Sequence, residues 1–234
     1  MQATESVADS RLTERQIAWK VARVLQEGWY VNLGIGIPLH IVNYIPDDRE
    51  VILHSENGIL GMGTRPPVGE EDPDLVNAGK EPVTLRPGGC FFSQADSFAM
   101  VRGGHIDVAV MGALQVSERG DLANWMIPGR ELGNIGGAMD LAAGARQVWV
   151  AMEHCTKDGK PKILKHCTYP LTAPDCVKMI FTDIAVIQMT EAGPLLLETA
   201  PGWNPQDVQK LTEPKLLFTE PVKVMDLTGA PANK

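Results

Sequence analysis

The chain has 234 residues, 44% hydrophobic and 21% charged, enough to bury a sizeable core and unlike the composition of a disordered protein. Its formal net charge of −8 and pI near 5.1 argue against nucleic acid or an anionic membrane as main partner, since both need a basic face. An anionic ligand would require a local basic pocket.

The first sixteen residues, MQATESVADSRLTERQ, lack the basic start and apolar centre of a secretory signal. No apolar run reaches the roughly 18 to 20 residues that span a bilayer. The expectation is a soluble, cytoplasmic protein with no membrane partner, in which Cys90, Cys155, Cys167 and Cys176 stay reduced. The pairs His154-Cys155 and His166-Cys167 invite a zinc reading. Yet neighbours on a strand face opposite ways and no CxxC or HxxxH spacing occurs, so no metal is expected.

Thr13 and Gln16 form a capping box, and Ile17, Val21, Val24 and Leu25 follow at helical spacing until Gly28. Trp29 to Leu33 reads as a strand, Gly34-Ile35-Gly36-Ile37 as a tight turn, and Pro38 as the start of a short helix to about Tyr44. Val51 to His54 is a second strand. Residues Gly61 to Lys80 then show no periodicity, the signature of either a substrate-facing lid or an inert excursion. Ser93 to Arg102 reads as a capped helix, Ile106 to Met111 as a strand, Gly137 to Ala145 as a helix, and Gln147 to Met152 as a strand. Ala185 to Met189 and Leu195 to Leu197 form a late strand pair. Such alternation implies one α/β domain over 1–234, with a mostly parallel open sheet and helices on both faces. Its core runs from about 12 to 218; the first eleven and last dozen or so residues read as frayed termini.

Several motifs are missing: the Gly34-Ile35-Gly36 turn lacks the third glycine of a dinucleotide fingerprint, and no phosphate loop, GxSxG or HExxH occurs. What stands out is His54-Ser55-Glu56-Asn57-Gly58, where an apolar strand breaks into a glycine-rich turn. Strand ends of open α/β sheets carry reacting groups, so Glu56 is expected to be exposed at a crevice as a general base, a metal ligand or a nucleophile. His54 beside it is either a proton carrier or a packed core histidine. The cluster Gly133-Asn134-Ile135-Gly136-Gly137 opens a helix and offers backbone N–H groups for an oxyanion, unless its glycines serve only close packing. Lys80, Arg86, Arg102 and Arg130 could supply a basic pocket or be plain solvated surface.

Six blocks carry a resemblance: Asn32-Leu33-Gly34-Ile35-Gly36-Ile37-Pro38, Ser55-Glu56-Asn57-Gly58, Asn77-Ala78-Gly79-Lys80, Gly112-Ala113-Leu114-Gln115-Val116, Leu122-Ala123-Asn124-Trp125 and Gly136-Gly137-Ala138-Met139-Asp140-Leu141. In this order they resemble the B (β) subunit of the 3-oxoacid CoA-transferases, from about Arg15 to Phe218. The resemblance implies a single-domain fold of the ribose-5-phosphate isomerase-like class. It implies a partner A (α) subunit, the two forming an A2B2 heterotetramer, and coenzyme A esters as substrates with no permanently bound cofactor. It makes Glu56 the nucleophile, lets Gly137 with Gly136 hold the thioester oxygen, and turns Lys80 toward the CoA. Asn57, Gly58, Gln115 and Asn124 become candidate contacts to substrate or CoA. The implied reaction moves CoA from succinyl-CoA to acetoacetate by ping-pong chemistry through a glutamyl-CoA thioester. The alternatives are a 3-oxoadipate enzyme, an acetate or butyrate enzyme, an acyl-CoA thioesterase, or a non-catalytic subunit.

Overall fold

The computed structural model describes residues 11–129 and 135–232. Helix α1 (Glu14–Val24) carries the expected capping box: the Gln16 amide donates to Thr13 Oγ1 at 3.3 Å and the Thr13 amide to Gln16 Oε1 at 2.9 Å. It buries Ile17, Ala18, Val21 and Ala22 against a short 3₁₀ helix, Ile37–Tyr44, which follows β1 (Tyr30–Leu33). Next come β2 (Ile52–Ser55), β3 (Ile59–Met62), β4 (Leu85–Phe91), α2 (Gln94–Arg102), β5 (Val108–Met111), β6 (Gln115–Ser117) and β7 (Leu122–Ala123). The chain continues through α3 (Ala138–Gly144), β8 (Gln147–Ala151), β9 (Ile163–Leu164), β10 (Val177–Phe181), β11 (Ala185–Thr190), β12 (Gly193–Thr199), α4 (Pro205–Lys210) and β13 (Lys223–Val224).

Ten strands form one sheet in the order β13-β12-β11-β10-β8-β5-β1-β2-β3-β4, and β7-β6-β9 form a small second sheet. The five central strands, β10 to β2, are parallel, while hairpins β3-β4 and β11-β12 add antiparallel wings. All four residues of β5 are buried, as a strand covered on both faces requires. Each such aliphatic side chain contributes roughly 1.5 to 3 kcal/mol of burial.

Chain direction fixes what lies on each face. The β1 to β2 connection runs one way along the sheet through the 3₁₀ helix, and β5 to β8 runs the other way through α3. With right-handed crossovers the two helices fall on opposite faces, and α2 packs beside α3. The connections diverge between β1 and β5, so a crevice opens at the carboxyl ends of these strands. The Gly34 amide closes its floor by donating to the Val110 carbonyl at 2.8 Å.

Two sequence expectations need correction, and a third region is given its place. The β3-β4 wing is absent from them, because β4 carries Pro87-Gly88-Gly89, residues that ordinarily mark an end to strand structure. The segment after β3 returns to the sheet and is tied down there, as described below. The C-terminal region is not frayed: Met225 is buried, β13 pairs with β12, and Gln16 donates to the Pro231 carbonyl at 3.1 Å. Among the described residues no helix is long and apolar enough to cross a membrane.

Candidate active site

Asn32 on β1 and His54 on β2 are register partners on adjacent parallel strands, so their side chains stand together on one face. Two residues beyond His54 the alternation returns Glu56 to that same face, where the strand has ended. The Glu56 carboxylate is half-buried rather than openly exposed. Burial raises its pKa, and the polar Asn32 side chain nearby opposes that rise.

The turn after Glu56 is shaped by Gly58, with φ +112, where any Cβ would lie 2.1 Å from the Phe92 carbonyl oxygen. That contact assigns Gly58 a backbone role in docking the β2-β3 turn onto the start of α2. On the other side stands Gly137, at the first turn of α3. A Cβ there would sit 3.4 Å from Glu56 Oε1 and 2.7 Å from Phe98 Cζ, so the helix start meets the carboxylate only because the residue is glycine. Gly136, its neighbour, has φ +47 and is exposed. Gly133, Asn134 and Arg130 lie outside the described residues.

The Asn77–Lys80 turn closes over the same place. The Ala78 amide donates to Ser55 Oγ at 3.0 Å and Asn57 Nδ2 donates to the Val76 carbonyl at 2.7 Å, so both neighbours of Glu56 grip one turn. Asn77 Oδ1 accepts the Glu81 amide at 3.0 Å, and Lys80 takes φ +63 with its side chain exposed. Asn57 is thereby committed to the turn.

Other expected residues have structural employment. Gln115 is buried and accepts the Thr168 and Tyr169 amides at 2.8 and 3.0 Å. Asn124 donates to the Gly112 carbonyl at 3.2 Å and accepts from Thr172 Oγ1, bracing the far wall of the crevice. Arg102 is bound to Asp140 at 2.8 Å and leans over the Phe98 ring, while Arg86 donates to the Val51 carbonyl. Arg102 and Arg86 thus each have a partner of their own, and Lys80 stands exposed on the outer turn.

His154 is fully buried, with its ring nitrogens 3.0 Å from Thr182 Oγ1 and 2.9 Å from Thr212 Oγ1. Burial lifts the Cys167 thiol to about 11. Among the described residues no group of three His, Cys, Asp or Glu side chains is placed to hold a metal.

Two further residues meet the site: Ser97, whose Oγ lies 2.9 Å from His54 Nε2, and Phe98 against Gly137. The available signal was a polar residue inside each of two apolar strands, Asn32 and His54, since a buried polar group demands a partner.

Residues 15–211 match the model of the coenzyme A transferase family, described as "Coenzyme A transferase". The chain belongs to that family, and with it to the CoA-transferase enzymes. It is 50% identical over 208 residues to the B subunit of 3-oxoadipate CoA-transferase from Acinetobacter baylyi, covering 88% of this chain and 96% of that one. It is 50% identical over 206 residues to a mitochondrial succinyl-CoA:3-ketoacid coenzyme A transferase (2A) of Mus musculus, covering 87% of this chain but 40% of that one. Against the β subunit of acetate CoA-transferase from Escherichia coli K12 the identity is 48% over 200 residues, with 86% and 91% covered. Among solved structures, glutaconate coenzyme A-transferase from Acidaminococcus fermentans superposes with a TM-score of 0.70 at 17% identity, covering 95% of this chain and 91% of that one. At that identity the likeness is one of fold.

Proposed function

We propose that this chain is the B subunit of a 3-oxoacid CoA-transferase in which Glu56 is the nucleophile. The observation that carries the reading is the half-buried Glu56 carboxylate at the carboxyl end of a central strand, facing the backbone of Gly137. An ionised carboxylate needs no base to attack a thioester carbonyl. Its oxygen bonds to the acyl carbon, the C–S bond breaks, and an acyl-glutamyl anhydride and CoA thiolate result. The thiolate then attacks the Glu56 carbonyl carbon, the anhydride C–O bond breaks, the donor acid leaves as carboxylate, and a Glu56-CoA thioester remains. An acceptor carboxylate runs these steps in reverse.

The Gly137 N–H is the proposed donor to the oxyanion, and Lys80 the proposed contact to the CoA. The anhydride hydrolyses if water reaches it, so the pinned Asn77–Lys80 turn is suited to shielding it. Glu56 lines none of the three described cavities of about 240, 530 and 890 Å³, and Ile35 and Met139 lie exposed on the two segments that flank it. An open site with apolar flanks supports completion by a separate A subunit in a cytoplasmic A2B2 assembly.

For the substrates we assign succinyl-CoA as donor and a 3-oxoacid as acceptor. Acetoacetate and 3-oxoadipate share the 3-oxo acid end, and relatives named for 3-oxoadipate and for succinyl-CoA with a 3-ketoacid match at similar identity. The test is to mix the chain with acyl-CoA in the presence of its A subunit, trap with borohydride or hydroxylamine, and digest for mass spectrometry. Modification confined to the peptide containing Glu56 is expected; a labelled cysteine or no label refutes the nucleophile. Thiol release that ignores added succinate would identify a thioesterase instead.

A further inference from the structure

The backbone of Gly137 stands beside Glu56 because α2 puts it there. Gly137 is buried, and a Cβ on it would lie 2.7 Å from Phe98 Cζ and 2.8 Å from Phe98 Cε1, so the edge of that ring is in van der Waals contact with the glycine. The same Cβ position is 3.4 Å from Glu56 Oε1, so the ring and the carboxylate both meet this one residue. At the other end of α3, a Cβ on Gly144 would lie 2.5 Å from the Val101 carbonyl oxygen. Positions i and i+7 share a helix face, so two glycine contacts, Gly137 on Phe98 and Gly144 on Val101, lay α3 along α2. Helix α2 is in turn fixed to the strand that carries Glu56: Ser97, fully buried, has its Oγ 2.9 Å from His54 Nε2 on β2.

We infer that Phe98 is a positioning residue: its ring is the spacer that sets the Gly137 backbone at its distance from the Glu56 carboxylate, and the Arg102–Asp140 pair holds the ring in place. Arg102, one turn further along α2, places its guanidinium carbon 5.8 Å from the Phe98 ring centroid and binds Asp140 Oδ1 at 2.8 Å. A single side chain thus covers the ring and ties it to the first turn of α3. The inference rests on reading Glu56 as the nucleophile and the Gly137 N–H as the donor to the oxyanion.

The form of the contact favours a role beyond helix packing. Between two side chains, a change in one is absorbed by a rotamer change in the other. Glycine has no side chain to move, so a change at the ring edge shifts the backbone itself, and close-packed surroundings pass that shift on. An oxyanion donor acts only within hydrogen-bond range of the developing charge, so a displacement of about 1 Å is felt in the chemical step and not in the binding of CoA. The Arg102–Asp140 pair separates orientation from folding, because its side chains are 66% and 35% exposed and an exposed pair adds little to stability.

The experiment measures kcat, KM and the single-turnover rate of Glu56-CoA formation for Phe98→Leu, Phe98→Tyr and Asp140→Asn, each assembled with its A subunit, once trapping has labelled Glu56 in the unmodified enzyme. Tyrosine adds an oxygen at Cζ, the ring atom nearest the glycine, whereas leucine withdraws the ring edge, so the two variants push and release the same contact. Both should lower kcat about 10-fold with KM within about threefold, and Glu56-CoA formation should slow in step. Asp140→Asn should lower kcat about threefold with the urea midpoint unmoved, and Asp140→Glu should restore it. A kcat within about twofold of the parent in both Phe98 variants overturns the inference. So does a loss that falls on KM, which would make Phe98 part of a substrate wall instead. If the Phe98 variants do not fold, Asp140→Asn decides by the same readouts. Absence of a Glu56 adduct in the unmodified enzyme would sink the nucleophile reading, and this inference with it; an adduct with unchanged variants sinks the inference alone.

Discussion

His54 and His154 are one residue type in nearly one state: both fully buried, both with partners on each ring nitrogen, both with a pKa lowered to about 4 by burial. They differ in where their hydrogen bonds lead. His154 joins Thr182 to Thr212 and, through its own amide, Asp183, which binds Arg11, so its bonds fasten α4 and the N-terminal segment to the sheet. His54 joins Ser97 to Asn32 on the face of the sheet from which Glu56 rises at the end of β2. A buried histidine is thus no signal of catalysis by itself; the next group along the chain of bonds decides its role.

The strongest way to break this contrast is to remove its endpoint. Glu56→Ala should lower CoA transfer by at least about a thousandfold with the assembly intact, as loss of a covalent nucleophile does. Retained activity in a coupled assay would void the active-site half of the comparison. Next in size is Gly137→Ala, whose methyl group would collide with Phe98 and crowd Glu56 Oε1; an expected fall of about 10- to 100-fold in kcat, partly restored by Phe98→Leu, checks that contact.

On the structural side, His154→Leu removes one of the partners of two buried threonine hydroxyls and should cost about 2 to 4 kcal/mol in urea unfolding, with kcat of the folded fraction unchanged. A larger effect on kcat than on stability would reverse the assignment. Both histidines also predict acid sensitivity. Each binds a proton in the unfolded chain near pH 6.5 but only near pH 4 when folded, so stability is full above about pH 6.5 and is lost as pH falls toward about 4. Denaturant curves across that window check it, and His154→Leu should flatten part of the slope.

The smallest effect concerns Glu56 in the other direction. Its raised pKa means that the folded protein holds the proton more tightly than the unfolded chain does. Stability is therefore highest below the ordinary glutamate range and declines as pH rises through the folded pKa. Glu56→Gln should consequently raise Tm by a degree or two, roughly, at pH 7 and by nothing near pH 4. A variant less stable than the parent at pH 7 would show that the carboxylate is not penalised by its surroundings.

Much of this was legible in the residues. Thr13 with Gln16 and Ser93 announce their helices by local capping, and β5 announces itself as a run of apolar residues. Glu56 is marked because a strand gives way to glycine beside it. These signals depend on neighbours a few positions apart, which a linear reading can weigh. The β4 wing escaped because Pro87, Gly88 and Gly89 disguise an edge strand. The order of the C-terminal region escaped because it rests on distant partners, β12 and Gln16.

By itself, then, the sequence determined the α/β alternation, the carboxylate at a strand end and the family, all of which depend on short-range pattern or on the order of blocks. Tertiary structure alone decided that Gly137 meets Glu56, that Ser55 and Asn57 grip the Asn77–Lys80 turn, and that Asn32 and His54 stand side by side. Those contacts follow from sheet order and register, which join residues far apart in the chain through packing that no local window contains.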